Sequence, residues 1–140
     1  MSEENKAILS RYIEEAWNKH NPGITDEFYA PDVVNRSAPP GAPNDREGLK
    51  AGLGMFLGAF PDVKIMPDFL MAEGDKVAMR WTMTATHTGE WMGIPATGKR
   101  MEMTGITIAR VADGKLAEVW FETDSMGMMQ QLGAVPTPGG

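Results

Sequence analysis

The stretch "KVAMRWTMTATHTGEWMGIPATG", residues 76–98, decides how this chain folds. From Lys76 onward its residues alternate. Val77, Met79, Trp81, Met83, Ala85 and His87 fall on one side, and Arg80, Thr82, Thr84, Thr86 and Thr88 on the other. A period of two belongs to a half-buried strand, so the alternation predicts a strand over 76–88. His87 continues the apolar row and is expected to point where that row points, toward a pocket. Gly89 and Gly93 then let the chain turn around Trp91.

Working outward, the period predicts strands at about 63–73, 100–111 and 115–123. "EGDK" (73–76) and "ADGK" (112–115) are tight-turn sequences that join neighbouring strands as antiparallel hairpins. Pro67 requires a bulge or an edge in the first of them. The first half reads differently. Ile8, Leu9, Tyr12, Ile13, Ala16 and Trp17 recur at helical spacing within residues 3–20, and "NPG" (21–23) ends that helix. A short helical piece is expected at "TDEFYA", stopped by Pro31, followed by a loop over 37–45. Asn44 or Asp45 caps a second long helix that runs to about Phe60, with Leu49, Leu53, Phe56, Leu57 and Phe60 on its apolar face. Gly48, Gly52, Gly54 and Gly58 each weaken that helix by roughly 1 kcal/mol. Close approach to a sheet is the expected compensation. Asp124 and Ser125 cap a last short helix, and Gly133 ends it. Helices first and an antiparallel-rich sheet second define a single α+β domain over 1–134, with 135–140 a flexible tail.

Composition narrows the function. Thirteen basic against 19 acidic residues give a net charge of −6, which argues against nucleic acid and anionic membranes as partners. No apolar run approaches the ~20 residues of a membrane helix. The acidic, amphipathic start is unlike a signal peptide, so the cytoplasm is the default location. There are no cysteines, which excludes disulfide and thiol chemistry. The 12 methionines are either core filler or the adaptable wall of a pocket. Two histidines, His20 and His87, without an HExxH pattern do not make a metal site. GxGxxG and GxSxG are also absent, so no cofactor is expected. The enzyme chemistry left is acid–base catalysis in an apolar pocket.

The candidates for that chemistry are few. His87 either transfers a proton or bonds the backbone at the rim. Asp124 either caps the last helix or, half-buried at the pocket mouth, serves as a base. Tyr12 lies on the buried stripe, and Asn35 is an orienting amide or a turn residue. Trp17, Phe56, Met79, Trp81, Trp91 and Met103 are expected to shape the pocket. The strand over 115–123 has two possible inner faces: Ala117, Val119, Phe121 and Thr123, or Glu118, Trp120 and Glu122. The strand before it alternates Met103, Gly105 and Thr107 against Thr104, Ile106 and Ile108, and either set can face inward.

At this point the chain resembles a known family. "HTGEWMGIPATGK", "RVADGKLAEVW" and the closing "QQLG" resemble the SnoaL-like polyketide cyclases of the nuclear transport factor 2-like superfamily. "ILSRYIEEAWNKHN" and "FPDV" also fit, so the likeness covers nearly the whole chain. It implies a cone: a curved mixed sheet, mostly antiparallel, wrapped on N-terminal helices around an apolar pocket and often dimeric through the sheet. It also implies cofactor-free aldol ring closure on an aromatic polyketide, with a carboxylate base. Ketosteroid isomerases and limonene epoxide hydrolases share the fold, so the fold alone does not choose the reaction.

The departures bear on catalysis. Where the family's cyclases read "EHWD", this chain reads "EVWF" at 118–121. The catalytic aspartate falls on Phe121, a neighbouring histidine on Val119, and a histidine of the preceding strand on Thr107. Thr107, Val119 and Phe121 therefore join the expected pocket wall. Two classes of function follow: a cyclase- or isomerase-type enzyme acting on an apolar carbonyl compound, or a small-molecule binder or scaffold that has lost the base. A homodimer is expected through the outer sheet face, on Arg80, Thr82, Thr84, Glu118, Trp120 and Glu122.

Overall fold

The computed structural model describes residues 2–135. The tail expected over 135–140 therefore lies, beyond Val135, outside the described residues. In chain order the elements are α1 (Ser2–Tyr12), a π-helical turn (Ile13–Asn18), a 3₁₀ turn (Pro22–Ile24), α2 (Thr25–Phe28), β1 (Tyr29–Asn35), α3 (Arg46–Ala59), β2 (Lys64–Glu73), β3 (Lys76–Thr86), β4 (Arg100–Ala112), β5 (Lys115–Thr123) and α4 (Ser125–Gln131). The strands form one curved mixed sheet in the order β1-β5-β4-β3-β2. All neighbours are antiparallel except β1 and β5, which run parallel.

The inner faces follow from the side-chain period. Val77, Met79, Trp81, Met83 and Ala85 of β3 are buried, as the alternation predicts. On β4 the inner set is Met101, Met103, Thr107, Ala109 and Val111, while Ile106 and Ile108 are exposed. On β5 the register slips between Arg110 and Val111 of its partner strand, so Ala117 is an extra residue. A bulge of this kind lets Leu116 and Val119 share the inner face although they are three apart. Pro67 meets both of its expectations: β2 is an edge strand, and its register slips between Pro67 and Phe69.

Three expectations need correction. The residues around "TDEFYA" are helical only through Phe28, and Tyr29–Asn35 is a strand. Pro31 hides it from a pattern search, yet proline is tolerated at a sheet edge, where β1 lies. The first helix is not one α-helix over 3–20. It widens its register into a π turn, with Lys19 N–H on Glu14 O and Asn21 N–H on Ala16 O, each five residues back. The helix glycines also behave differently. A Cβ at Gly48 would strike the Pro43 backbone, but one at Gly52, Gly54 or Gly58 would meet nothing, so these three do not serve close packing. Helix α3 is held instead by its Asp45 cap, which accepts from Gly48 N–H at 2.9 Å, and by burial of Leu53, Phe56 and Ala59. Among the described residues, no helix is long and apolar enough to cross a membrane.

Candidate active site

Strands β3, β4 and β5 curve around α1 and α3 and leave a cavity of about 530 Å³ between them. The sheet contributes Trp81, Met83, Met103, Thr107 and Phe121 to its wall. The helices contribute Tyr12, Ile13, Trp17, Leu53 and Phe56. Trp91 also lines it, and the loop before α3 supplies Pro39 and Pro43. The wall is overwhelmingly carbon. An occupant gains mainly by burying apolar surface, at about 25 cal/mol per Å².

Trp91 is held by the loop over 88–99. Its N–H and carbonyl exchange hydrogen bonds with Ile94 at 3.0 and 2.8 Å, and Met92 and Gly93 between them both have positive φ. That is the geometry of a two-residue primed turn. Thr88 and Gly89 donate to the Ala59 carbonyl at 3.0 and 3.1 Å, which satisfies the end of α3 and docks the loop there. A Cβ at position 89 would collide with the Gly58 carbonyl, so glycine is required. The Trp91 ring stands edge-on to Phe56, with centroids 5.0 Å apart, and Phe56 stands edge-on to Trp17 at 5.5 Å.

His87 does not border the cavity. It lies just past the end of β3, fully buried, stacked on Phe60 at 5.2 Å. Its Nδ1 accepts from the Thr97 N–H at 3.3 Å and lies 3.0 Å from the Thr97 hydroxyl. A backbone N–H on Nδ1 fixes the tautomer with the proton on Nε2, and Nε2 has no partner. The ring therefore closes the base of the loop, with His87 N–H on Lys99 O and Gly98 N–H on His87 O. Thr97 carries no sequence signal for this role, because its position depends on how the loop returns.

Asp124 caps α4, accepting from Gly127 N–H at 3.0 Å, and it does not border the cavity. Tyr12 and Asn35 do. Asn35 is also a turn residue, since its Oδ1 accepts from Ser37 N–H at 2.9 Å. Ser37 in turn accepts from Phe121 N–H at 2.8 Å, so this turn is pinned to β5 beside the cavity wall. Of the expected wall residues, Trp17, Phe56, Trp81, Trp91, Met103, Thr107 and Phe121 border the cavity. Met79 and Val119 are buried on the inner sheet face but lie behind that wall.

Tyr29 is a wall residue that the sequence hides, because its strand reads as helix. It meets Tyr12 edge-on at 4.8 Å. Burial pushes the Tyr12 phenol up. Burial pushes Tyr29 well above the ordinary tyrosine value, and the neighbouring Tyr12 adds to this. Both are neutral hydrogen-bonding groups at physiological pH. Trp81 donates its indole N–H to the Thr107 hydroxyl at 3.0 Å. Among the described residues, no carboxylate, imidazole, ammonium or guanidinium borders the cavity.

A curved mixed sheet closed by helices around an internal cavity defines the class. Comparison with known proteins gives the family. The SnoaL-like polyketide cyclase family matches residues 7–132, and the chain belongs to that family. Two curated relatives are each 29 % identical over 136 residues: aklanonic acid methyl ester cyclase DnrD of Streptomyces peucetius and its namesake DauD of Streptomyces sp. (strain C5). The alignments cover 94 % of this chain, and 94 % and 84 % of those proteins respectively. Among solved structures, TsrD from Streptomyces laurentii superposes with a TM-score of 0.85 at 29 % identity, covering 94 % of this chain and 96 % of that one.

Proposed function

We propose that this chain takes a medium-sized apolar carbonyl compound of the polyketide kind into its cavity and promotes cofactor-free ring closure or isomerisation beside a carbonyl. One observation carries the reading: an apolar cavity of about 530 Å³ whose buried polar groups are neutral. Such a wall holds a flexible chain in a folded, reactive shape, and orientation alone can supply several kcal/mol of the barrier. In aldol closure the C–H beside a carbonyl loses its proton, the enolate carbon attacks a second carbonyl of the same molecule, and the alkoxide formed is protonated. With Phe121 in the wall, no described side chain lining the cavity is a carboxylate or imidazole, so the first proton passes to a base from solvent, hydroxide or a buffer anion. Tyr12 and Tyr29, hydrogen-bonded to each other, are the neutral hydroxyl pair that the wall offers to developing negative charge on oxygen.

The second reading is a binder without turnover. It is favoured by the absence of any ionisable carboxylate or imidazole from the cavity wall among the described residues. A thermal-shift screen of aromatic polyketide ketones, followed by assays of aldol closure, ketone isomerisation and epoxide hydrolysis, separates the two. Binding with turnover supports the enzyme. Binding without turnover supports the second reading, and no binding rejects both.

The same proposal includes a homodimer through the outer sheet face. Met71, Ala78, Ile108 and Trp120 form one row across four strands, next to Phe69, Arg80, Ile106 and Glu122. Met66, Phe69 and Met71 are each more than half exposed. An apolar row of this extent on an open sheet is what a self-complementary contact covers.

A further inference from the structure

Glycine inside a strand costs stability and marks a place where something approaches the backbone closely. Gly105 sits in the middle of β4, on its buried inner face, paired with Trp81 of β3 and Thr123 of β5. A Cβ there would lie 2.3 Å from Trp81 Cζ2, 2.6 Å from Trp81 Cη2 and 2.9 Å from the Glu122 carbonyl oxygen. The six-membered ring of the indole therefore occupies the space in which any other residue would carry its side chain. The nitrogen edge of the same indole is fixed too. Its Nε1 donates to the Thr107 hydroxyl at 3.0 Å. Thr107 stands two residues on along the same face of β4, so the indole is laid along that strand from position 105 to position 107. Trp81 is 4 % exposed and borders the cavity, as do Thr107, Phe121 and Thr123.

We propose that Gly105 is the positioning residue that sets the depth of the cavity, and with it the size of ligand the protein takes. By leaving its Cβ space empty it lets the Trp81 indole seat against the sheet. The ring lies on the inner side of β4, so a methyl group at 105 pushes it off the sheet, toward the cavity that it borders. Relief of a 2.3 Å approach to ordinary carbon–carbon contact moves the ring by roughly 1 Å or more. The hydrogen bond to Thr107 is stretched as the ring moves. Space is thus lost at the sheet side of the cavity, where a long polycyclic ligand needs it and a short one does not. Gly105 itself touches no ligand and acts through Trp81. This rests on the proposal that the cavity takes an apolar carbonyl compound, and binding to the parent protein separates failure of that reading from failure of this one.

The probes are 1-indanone and benzanthrone, aromatic ketones of two and four fused rings. Equilibrium dialysis gives the affinity of each for the parent, Gly105→Ala, Trp81→Phe and the double variant. In the parent, benzanthrone binds more tightly because it buries more apolar surface. Gly105→Ala should weaken benzanthrone roughly tenfold or more and change 1-indanone less than about twofold. Trp81→Phe removes the ring atoms that meet position 105, so in the Gly105→Ala background it should restore benzanthrone. An equal loss of both probes, or no loss of either, in Gly105→Ala overturns the proposal. Failure of Trp81→Phe to restore benzanthrone also overturns it, because the strand at Glu122, and not the indole, is then what yields. If Gly105→Ala does not fold, Trp81→Phe alone carries the test. It should raise the ratio of benzanthrone to 1-indanone affinity, and an unchanged ratio overturns the proposal. If neither probe binds the parent protein, the cavity reading fails and this inference falls with it.

Discussion

His87 lies flat against Phe60, with ring centroids 5.2 Å apart and planes 24° from parallel, and Phe60 itself packs on Phe56 and Trp91. A layer of aromatic rings thus separates the buried imidazole from the cavity. Its chemistry faces the other way, toward Thr97. His87→Leu removes the acceptor for the Thr97 N–H and hydroxyl. The expected cost is about 1–3 kcal/mol of stability, with faster amide exchange in the 88–99 loop. Urea denaturation and hydrogen exchange measure both. Loss of turnover in a variant that keeps full stability would instead make His87 a proton carrier.

The buried pair of Trp81 and Thr107 gives a second prediction. Thr107→Val keeps the shape and removes the oxygen that accepts the indole N–H at 3.0 Å. An orphaned buried donor costs about 1–3 kcal/mol. Thr107→Ser keeps the oxygen and should recover most of the loss. If Thr107→Val is as stable as Thr107→Ser in urea titrations, the hydrogen bond contributes nothing.

A strand is legible in this sequence where its residues carry a period. Along β3 every second residue from Val77 to Ala85 is apolar, and that strand is read without ambiguity. On β5 a bulge at Ala117 breaks the period, so neither alternating set matches the buried one. Phe121 borders the cavity, and Leu116, which belongs to neither alternating set, is buried on the inner face. Strand β1 was invisible because "YAPDVVN" carries a proline and two acidic or amide residues within seven positions. Tyr29 was lost with it. Partners such as Thr97 for His87, or Ser37 for the Phe121 N–H, come from loop closure, which no local pattern encodes. The helix glycines misled for a related reason: a glycine can be tolerated in open space as easily as required in a contact.

Acid should weaken the outer face first at Glu118. Arg36 and then Arg110 hold its carboxylate through hydrogen bonds, and its pKa lies below the ordinary glutamate value. A depressed folded-state pKa contributes stability that is present above the unfolded value and lost as pH falls through the folded one. Glu118→Gln should therefore flatten the slope of stability against pH below the usual glutamate range. The change at neutral pH should be small, because the pair is exposed to screening. A parent and variant with parallel slopes in acid would remove Glu118 from the account.

The dimer is tested at Ile108, which stands between Ala78 and Trp120 on the outer row. Ile108→Asp places a charge in the middle of the proposed contact without touching the cavity wall. Light scattering should give a dimer mass for the parent and a monomer mass for the variant at micromolar concentration. A monomeric parent overturns the proposal directly.

The wall at Phe121 decides what kind of pocket this is. Its backbone pairs with Thr107 on β4, and its ring borders the cavity while remaining only half-buried. Phe121→Ala should cost less than a full core truncation, on the order of 1–3 kcal/mol, because part of the ring already faces open cavity space. Phe121→Asp places a carboxyl among Met103, Trp81 and the aromatic rings. Desolvation there raises its pKa, so the penalty falls on the ionised form. The sign follows: the variant loses stability relative to the parent as pH rises from below the ordinary aspartate range to above it. Thr107 is the register partner of position 121, so its hydroxyl can donate to the new carboxylate, and Thr107→Val in the same background should deepen the loss. Thermal melts at acid and neutral pH read out the difference. If Phe121→Ala and Phe121→Asp both melt within about 2 °C of the parent at every pH, less than ~0.5 kcal/mol is involved. The ring then does not form the wall. In that case Glu118, Trp120 and Glu122 regain their claim on the cavity, and a carboxylate mechanism returns with them.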